Sequence, residues 1–225
     1  MKAPRICATI TSNDIKAVRK VESMVDLFEV RIDLIGDEWP EIARHLSRPW
    51  IACNRSAEEG GSWQDNEARR IEKLLQAIEL GADIIDVELK TKNLANLVKL
   101  IKRRKKCLLS CHNLEKTPSV ATMKQTVQQQ IKAGADICKI VTTAQSFEDN
   151  ISILKVISEF PEQAVVAFAM GPAGAVSRVL CPLTGGEFTY ASIARGKESA
   201  PGQMTVNELY GIYGTMRIWD NPEAD

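Results

Sequence analysis

The chain has 225 residues, 44% of them hydrophobic, enough to bury one large α/β core or two small ones. Lysine plus arginine and aspartate plus glutamate both number 29, so the formal net charge is zero and neither nucleic acid nor an anionic membrane is an expected partner. No run of about 18 apolar residues occurs and the N-terminus lacks a charged-then-apolar leader pattern, so a cytoplasmic location is expected.

Strand-like runs are predicted at residues 5–10, 27–34, 50–55, 84–89, 106–112, 137–143, 165–170 and 188–193. Helices are predicted between the later ones, at 67–80, 93–104, 120–132, 147–160, 174–180 and 205–217; the first carries Ile71, Leu74, Leu75 and Ile78 at helical spacing. Residues 42–46 read as a surface helix, and His45 within it is given no role. The basic run from Lys102 to Lys106 reads as a helix C-terminus complementing the helix dipole rather than as a polyanion site. Cys7, Cys53, Cys107, Cys111 and Cys138 lie in or beside strand-like runs, and Cys181 near a helix end. None forms a Cys-x-x-Cys pair, so they read as buried reduced thiols, not as disulfides or a zinc site. With two histidines in the chain, a metal site would have to rely on carboxylates.

Eight strands separated by helices, with no polar linker, predict a single α/β domain over residues 1–225 with a parallel sheet. An internal repeat agrees: Gly81-Ala82-Asp83-Ile84 recurs as Gly134-Ala135-Asp136-Ile137, each glycine ending a helix just before a strand. Eight such units make a compact (β/α)8 TIM barrel. A doubly wound open sheet is the alternative, but it calls for a Gly-x-Gly-x-x-Gly turn after the first strand, where the chain has Thr9-Ile10-Thr11-Ser12-Asn13.

Strand two reads Phe28-Glu29-Val30-Arg31-Ile32-Asp33-Leu34. Strand side chains alternate, so Phe28, Val30, Ile32 and Leu34 face the helix layer and Glu29, Arg31 and Asp33 face the barrel interior. A salt-bridged polar face on an edge strand is the plainer reading. Lys139 sits in the apolar run Asp136 to Val141, and lysine is rarely buried unless it is paired or used chemically. The pKa of a buried lysine can fall far enough to give a neutral amine, which attack on a carbonyl needs; the plainer reading is a lysine that snorkels to the rim. The repeat aligns Asp86 with Lys139, so Asp86, Glu88 and Lys139 share the interior. Arg55 ends strand three and His112 ends strand five, near the carboxyl ends where barrel active sites are built. His112 is the candidate general acid–base; a structural histidine is the alternative.

Together these residues resemble the type I 3-dehydroquinate dehydratases, which act through a Schiff base. The resemblance rests on Glu29-Val30-Arg31-Ile32-Asp33, on Arg55-Ser56-Ala57-Glu58-Glu59-Gly60-Gly61, and on Asp86-Val87-Glu88-Leu89. It continues through Ser110-Cys111-His112 with Lys116-Thr117-Pro118, then Lys139, Met170-Gly171 with Ser177-Arg178, and Ser199-Ala200-Pro201-Gly202-Gln203. The family commonly has Asp-Phe after the histidine; this chain has Asn113-Leu114. The resemblance implies loss of water from 3-dehydroquinate in the shikimate pathway, with no metal or organic cofactor. Lys139 would form the imine, His112 would carry protons, and Glu59 would orient His112. Arg178 would hold the substrate carboxylate, with Glu29, Arg31, Arg55, Ser199 and Gln203 as further substrate contacts. Asp33, Asp86 and Glu88 are left to balance interior charge. The resemblance also implies a homodimer, for which the apolar stretch 210–219 is either an interface or a cap on the barrel, and it favours biosynthesis over quinate breakdown.

Two other functions fit parts of the pattern. Another lysine-imine lyase, such as a class I aldolase, would use Gly171-Pro172-Ala173-Gly174 as an anion cradle. A non-catalytic binding barrel would have no use for Lys139 and His112 together.

Overall fold

The computed structural model describes residues 3–218. Its strands are β1 (Ile6–Ile10), β2 (Leu27–Arg31), β3 (Trp50–Cys53), β4 (Ile84–Glu88), β5 (Lys106–His112), β6 (Ile137–Thr143), β7 (Ala164–Met170) and β8 (Thr189–Ser192). The helices are α1 (Ile15–Val21), α2 (Ile32–Ile35), α3 (Trp39–Arg44), α4 (Glu67–Glu79), α5 (Leu94–Lys102), α6 (Val120–Ala133), α7 (Glu148–Ser158), α8 (Ala175–Leu180) and α9 (Val206–Thr215). The strands pair in parallel in the order β7-β6-β5-β4-β3-β2-β1-β8. At the remaining seam, the Glu187 N–H just before β8 donates to the Val165 carbonyl of β7 at 2.9 Å. The sheet is thus a nearly closed (β/α)8 barrel, and the doubly wound alternative falls away.

The Gly-Ala-Asp-Ile repeat has a physical basis. Gly81 and Gly134 both adopt φ +98°, the left-handed turn that ends a helix and releases the chain into a strand. The aspartate that follows reaches back to the preceding strand: Asp83 Oδ2 accepts the Trp50 N–H at 3.0 Å and Asp136 Oδ2 accepts the Cys107 N–H at 2.8 Å. Asp26 does the same for Ile6 at 2.8 Å. Each carboxylate satisfies an N–H at a strand's start that would otherwise lack a sheet partner.

Outward-facing strand residues such as Phe28, Val30, Ile85 and Val87 pack against the inner faces of the helices, through Leu74, Ala77, Ile101, Val127 and Ile153, all fully buried. Replacing one such leucine by alanine costs about 2–5 kcal/mol. Helix starts are capped: Asn66, Ser119 and Thr205 accept backbone N–H groups, and Thr205 forms a reciprocal capping box with Glu208.

The alternation predicted for strand two stops early. β2 ends at Arg31, and Ile32 begins a helical turn. Leu34, expected against the helix layer, is 37% exposed, while Asp33 is fixed by the Arg31 fork at 2.9 and 2.7 Å. The bidentate pair captures the backbone into a turn that an alternation pattern alone cannot reveal. Likewise β3 ends at Cys53, so Arg55 lies in the loop beyond it. Helices α1 and α2, absent from the predicted set, are seven and four residues long, too short for a helical period to stand out in the sequence.

All six cysteines are unpaired, five of them buried and Cys111 partly so. Lys102 closes α5 and bonds the Gly134 carbonyl and Asp136, so the basic run is partly tied into the fold. His45 is exposed just past α3. Tyr213 of α9 is buried and donates to the Val179 carbonyl at 2.9 Å, while Tyr210 and Met216 are exposed. Stretch 210–219 therefore packs on the barrel through one face; Trp219 lies outside the described residues. Among the described residues, no helix is long and apolar enough to cross a membrane.

Candidate active site

Neighbouring strands present their interior residues in register. Ser192, Thr9 and Glu29 form one row, Arg31, Cys53 and Asp86 a second, and Glu88, Ser110 and Lys139 a third. Barrel interiors are normally filled by branched apolar side chains. Here the upper interior is polar, and its charges are buried in pairs.

Lys139 is 5% exposed, with its Nζ 3.2 Å from Glu29 Oε1 and 3.1 Å from Asp86 Oδ2. The Tyr190 ring lies beneath it, 4.1 Å from Nζ to the centroid. Burial pushes the lysine pKa down, but Glu29 and Asp86 more than offset this and hold it above the usual value. The depression that burial alone can cause does not occur here: before any ligand arrives, Lys139 is an ammonium ion, because burial came with two counter-charges. Asp86 is driven in the opposite sense to a desolvated acid; Arg55 and Lys139 overcome the effect of its burial and keep it ionised. Glu29, Cys53 and Asp86 also place metal-ligand atoms within 4.8 Å of one another. The chain's own cations serve that cluster, Lys139 on both carboxylates and Arg55 on Asp86 and Cys53, and burial pushes the Cys53 thiol up, away from the thiolate a metal needs.

Arg55 is held at 2.6 Å to Asp86, 2.6 Å to Ser110 Oγ and 3.1 Å to Glu88. Glu88 in turn binds Arg70 at 2.6 Å, and Arg70 bonds the Asn54 carbonyl and Glu67. This network fixes the loop after β3. In that loop Gly61 approaches so closely that a Cβ would sit 2.0 Å from the Arg55 carbonyl oxygen. The fold-back places Glu59 against β5. Its Oε2 accepts both the His112 backbone N–H, at 3.1 Å, and the ring at Nδ1, 2.8 Å away. Burial raises Glu59 to about 7, despite the opposing pull of Arg55. Burial, Arg55 and Lys139 push His112 well below its ordinary value, so its ring is neutral at pH 7. With Glu59 ionised, Nδ1 carries the hydrogen and Nε2 is left as a free base.

Arg178, on α8, is 2% exposed, and its Nε and Nη2 have no hydrogen-bond partner among the described residues. Its guanidinium carbon lies 4.4 Å from the Phe168 ring centroid. Burial pushes its pKa down to about 10. A buried cation with two donors unmatched calls for an anion. Above it, Gly202 is close enough to Gly171 that a Cβ would meet the Gly171 carbonyl at 2.3 Å, and the Gly171 N–H donates to Pro201. This docks the 199–203 loop on the β7 end, with Gln203 bonded to Ser199 and, at 3.2 Å, to Thr9 Oγ1.

A cavity of about 300 Å³ joins these groups. Lys139, His112, Glu59, Glu29, Arg31, Arg55, Arg178, Ser199 and Gln203 all line it, as do Phe168, Met170, Tyr190 and Leu114. Asn113 does not orient the imidazole; its Oδ1 accepts the N–H groups of Glu115 and Lys116 and shapes the turn. Arg70, Phe168 and Tyr190 were not singled out from the sequence. An arginine on an amphipathic helix reads as surface and strand aromatics read as core; the Glu67–Arg70 pair at helical spacing was the one available hint for Arg70.

The type I 3-dehydroquinase family model matches residues 6–220. A 3-dehydroquinate dehydratase of Dehalococcoides mccartyi is 43% identical over 213 residues, covering 95% of this chain and 96% of the relative. One from Methanosarcina acetivorans is 36% identical, covering 94% of each. The crystal structure of 3-dehydroquinate dehydratase from Geobacillus kaustophilus superposes with a TM-score of 0.78 at 28% identity, covering 94% of this chain and 91% of that one. The barrel and these near full-length matches agree: the chain belongs to the type I 3-dehydroquinase family.

Proposed function

We propose that the protein dehydrates 3-dehydroquinate to 3-dehydroshikimate through an imine at Lys139, as the third step of the shikimate pathway. The observation that carries this reading is one cavity holding a buried lysine, a neutral histidine and an unmatched guanidinium. The substrate carboxylate pairs with the free edge of Arg178, a planar fork suited to two oxygens. His112 takes the proton that Lys139 must shed, and the amine attacks the ketone carbon. The carbinolamine hydroxyl leaves as water with the proton that His112 took, which leaves a protonated imine and a neutral His112. This electron sink lets His112 remove the neighbouring α-proton, and the pair from that C–H bond moves to the nitrogen. The enamine returns the pair and expels the hydroxyl, which leaves as water with the proton from His112. Hydrolysis of the imine then frees product and lysine.

Glu59 is the orienting carboxylate for His112. Glu29 and Arg31, with Arg55, Ser199 and Gln203, are the candidate contacts for substrate hydroxyls. Asp86 and Glu88 keep the cations in place. No step calls for a metal or organic cofactor. A cytoplasmic homodimer in aromatic biosynthesis is the setting this family membership supports; sedimentation equilibrium would test the dimer.

The deciding experiment is borohydride reduction in the presence of 3-dehydroquinate, followed by peptide mass spectrometry. The expected result is a reduced adduct on Lys139, with no adduct and no turnover in Lys139→Ala. Near-normal turnover in that variant would sink the imine.

A further inference from the structure

Two of the four cations that line the cavity, Lys139 and Arg178, are held differently. Lys139 is clasped by two carboxylates, whereas Arg178 has two donors unmatched. A run of aromatic rings links them. Lys139 Nζ stands 4.1 Å from the Tyr190 centroid. Tyr190 meets Phe168 edge to face, with centroids 5.9 Å apart and planes at 60°. Phe168 carries the Arg178 guanidinium on its face at 4.4 Å. Tyr190 also meets Phe188, with centroids 5.4 Å apart and planes at 70°, and all three rings are buried. Phe168 belongs to β7 and Tyr190 to β8, so the contact bridges the barrel seam. Close-packed rings in such a seam have little room to swing.

We propose that Phe168 and Tyr190 are positioning residues, a rigid two-ring spacer that sets the separation between Lys139 and Arg178. The spacer thereby selects ligands by the span between their ketone and their carboxylate. The inference rests on the reading of Lys139 as imine former and Arg178 as carboxylate seat. Ring faces suit this task chemically. A cation over a π face is stabilised without using its N–H donors, so the edge of Arg178 stays free for a carboxylate. The protonated imine keeps a positive charge over Tyr190, so the same ring favours the charged intermediate over a neutral amine.

The test is a double-mutant cycle read by calorimetry on the full chain with quinate, which has the ring carboxylate and hydroxyls but no ketone. Phe168→Leu is expected to weaken quinate about tenfold in the parent chain and less than about twofold in an Arg178→Ala background. Equal losses in both backgrounds, or no quinate binding by the parent chain, would overturn the spacer. If Phe168→Leu does not fold, Phe168→Met fills the volume without a ring face and takes its place. At the other end, Tyr190→Leu is expected to slow borohydride trapping at Lys139 and Tyr190→Phe to restore it; equal rates in the two variants would also overturn the proposal. A coupled quinate cycle without turnover of 3-dehydroquinate would remove the dehydration reading and leave the spacer, whereas turnover with additive effects would do the reverse.

Discussion

Buried charges that neutralise one another behave differently from buried charges left unmatched, and the cavity holds both kinds. Lys139 has two carboxylates and remains an ammonium ion, while Arg178 has open donors. Arg178→Ala is therefore expected to raise KM about a hundredfold with a smaller effect on kcat, since a forked contact to a desolvated carboxylate is lost. Unchanged KM in steady-state assays would remove Arg178 from the site. The Glu59–His112 pair makes a pH prediction. Glu59 titrates at about 7, with burial as the main cause. Below that pH its carboxyl proton donates to Nδ1, which forces the ring hydrogen onto Nε2 and removes the base. Above it, Nδ1–H donates to the carboxylate and Nε2 is free. Activity should therefore rise with pH through about 7, and Glu59→Gln should abolish that limb and lower the rate about tenfold to a hundredfold. An unaltered pH profile in the variant would place the titration elsewhere.

At the level of elements, the loop after β3 does the most. Gly61→Ala would put a Cβ 2.0 Å from the Arg55 carbonyl, so the loop must shift and carry Arg55 and Glu59 with it. The expected outcome is a folded protein by circular dichroism with kcat/KM reduced more than about tenfold, because small displacements of positioned groups are costly. Full activity would mean that the loop has slack. Regular elements were largely legible beforehand: β5 and β6 run Lys106–His112 and Ile137–Thr143, as the apolar runs predict. Tertiary interactions account for the misses. The Arg31–Asp33 fork ended β2 early and sent Leu34 outward, and Glu29 with Asp86 reversed the pKa shift that burial alone predicts for Lys139. Which residues share the cavity was visible as a strand pattern and a family resemblance. The Arg178–Phe168 and Lys139–Tyr190 contacts were not, because each joins elements that sequence periodicity does not relate.

At the scale of the whole molecule, chemistry and clasps occupy opposite ends of the strands. The ionisable residues gather toward the carboxyl ends, around a cavity that must admit and release ligand. Asp26, Asp83 and Asp136 fasten the amino ends, each onto the neighbouring strand. Opening free energy should therefore be graded along the barrel axis. In native-state hydrogen exchange, the amides of Ile6, Trp50 and Cys107 are expected to exchange only through global unfolding, while those of Gly171 and Ser199 exchange through local opening at lower cost. The two ends could then change independently: rim loops can be rebuilt around new ligands while the clasped end keeps the strands in register.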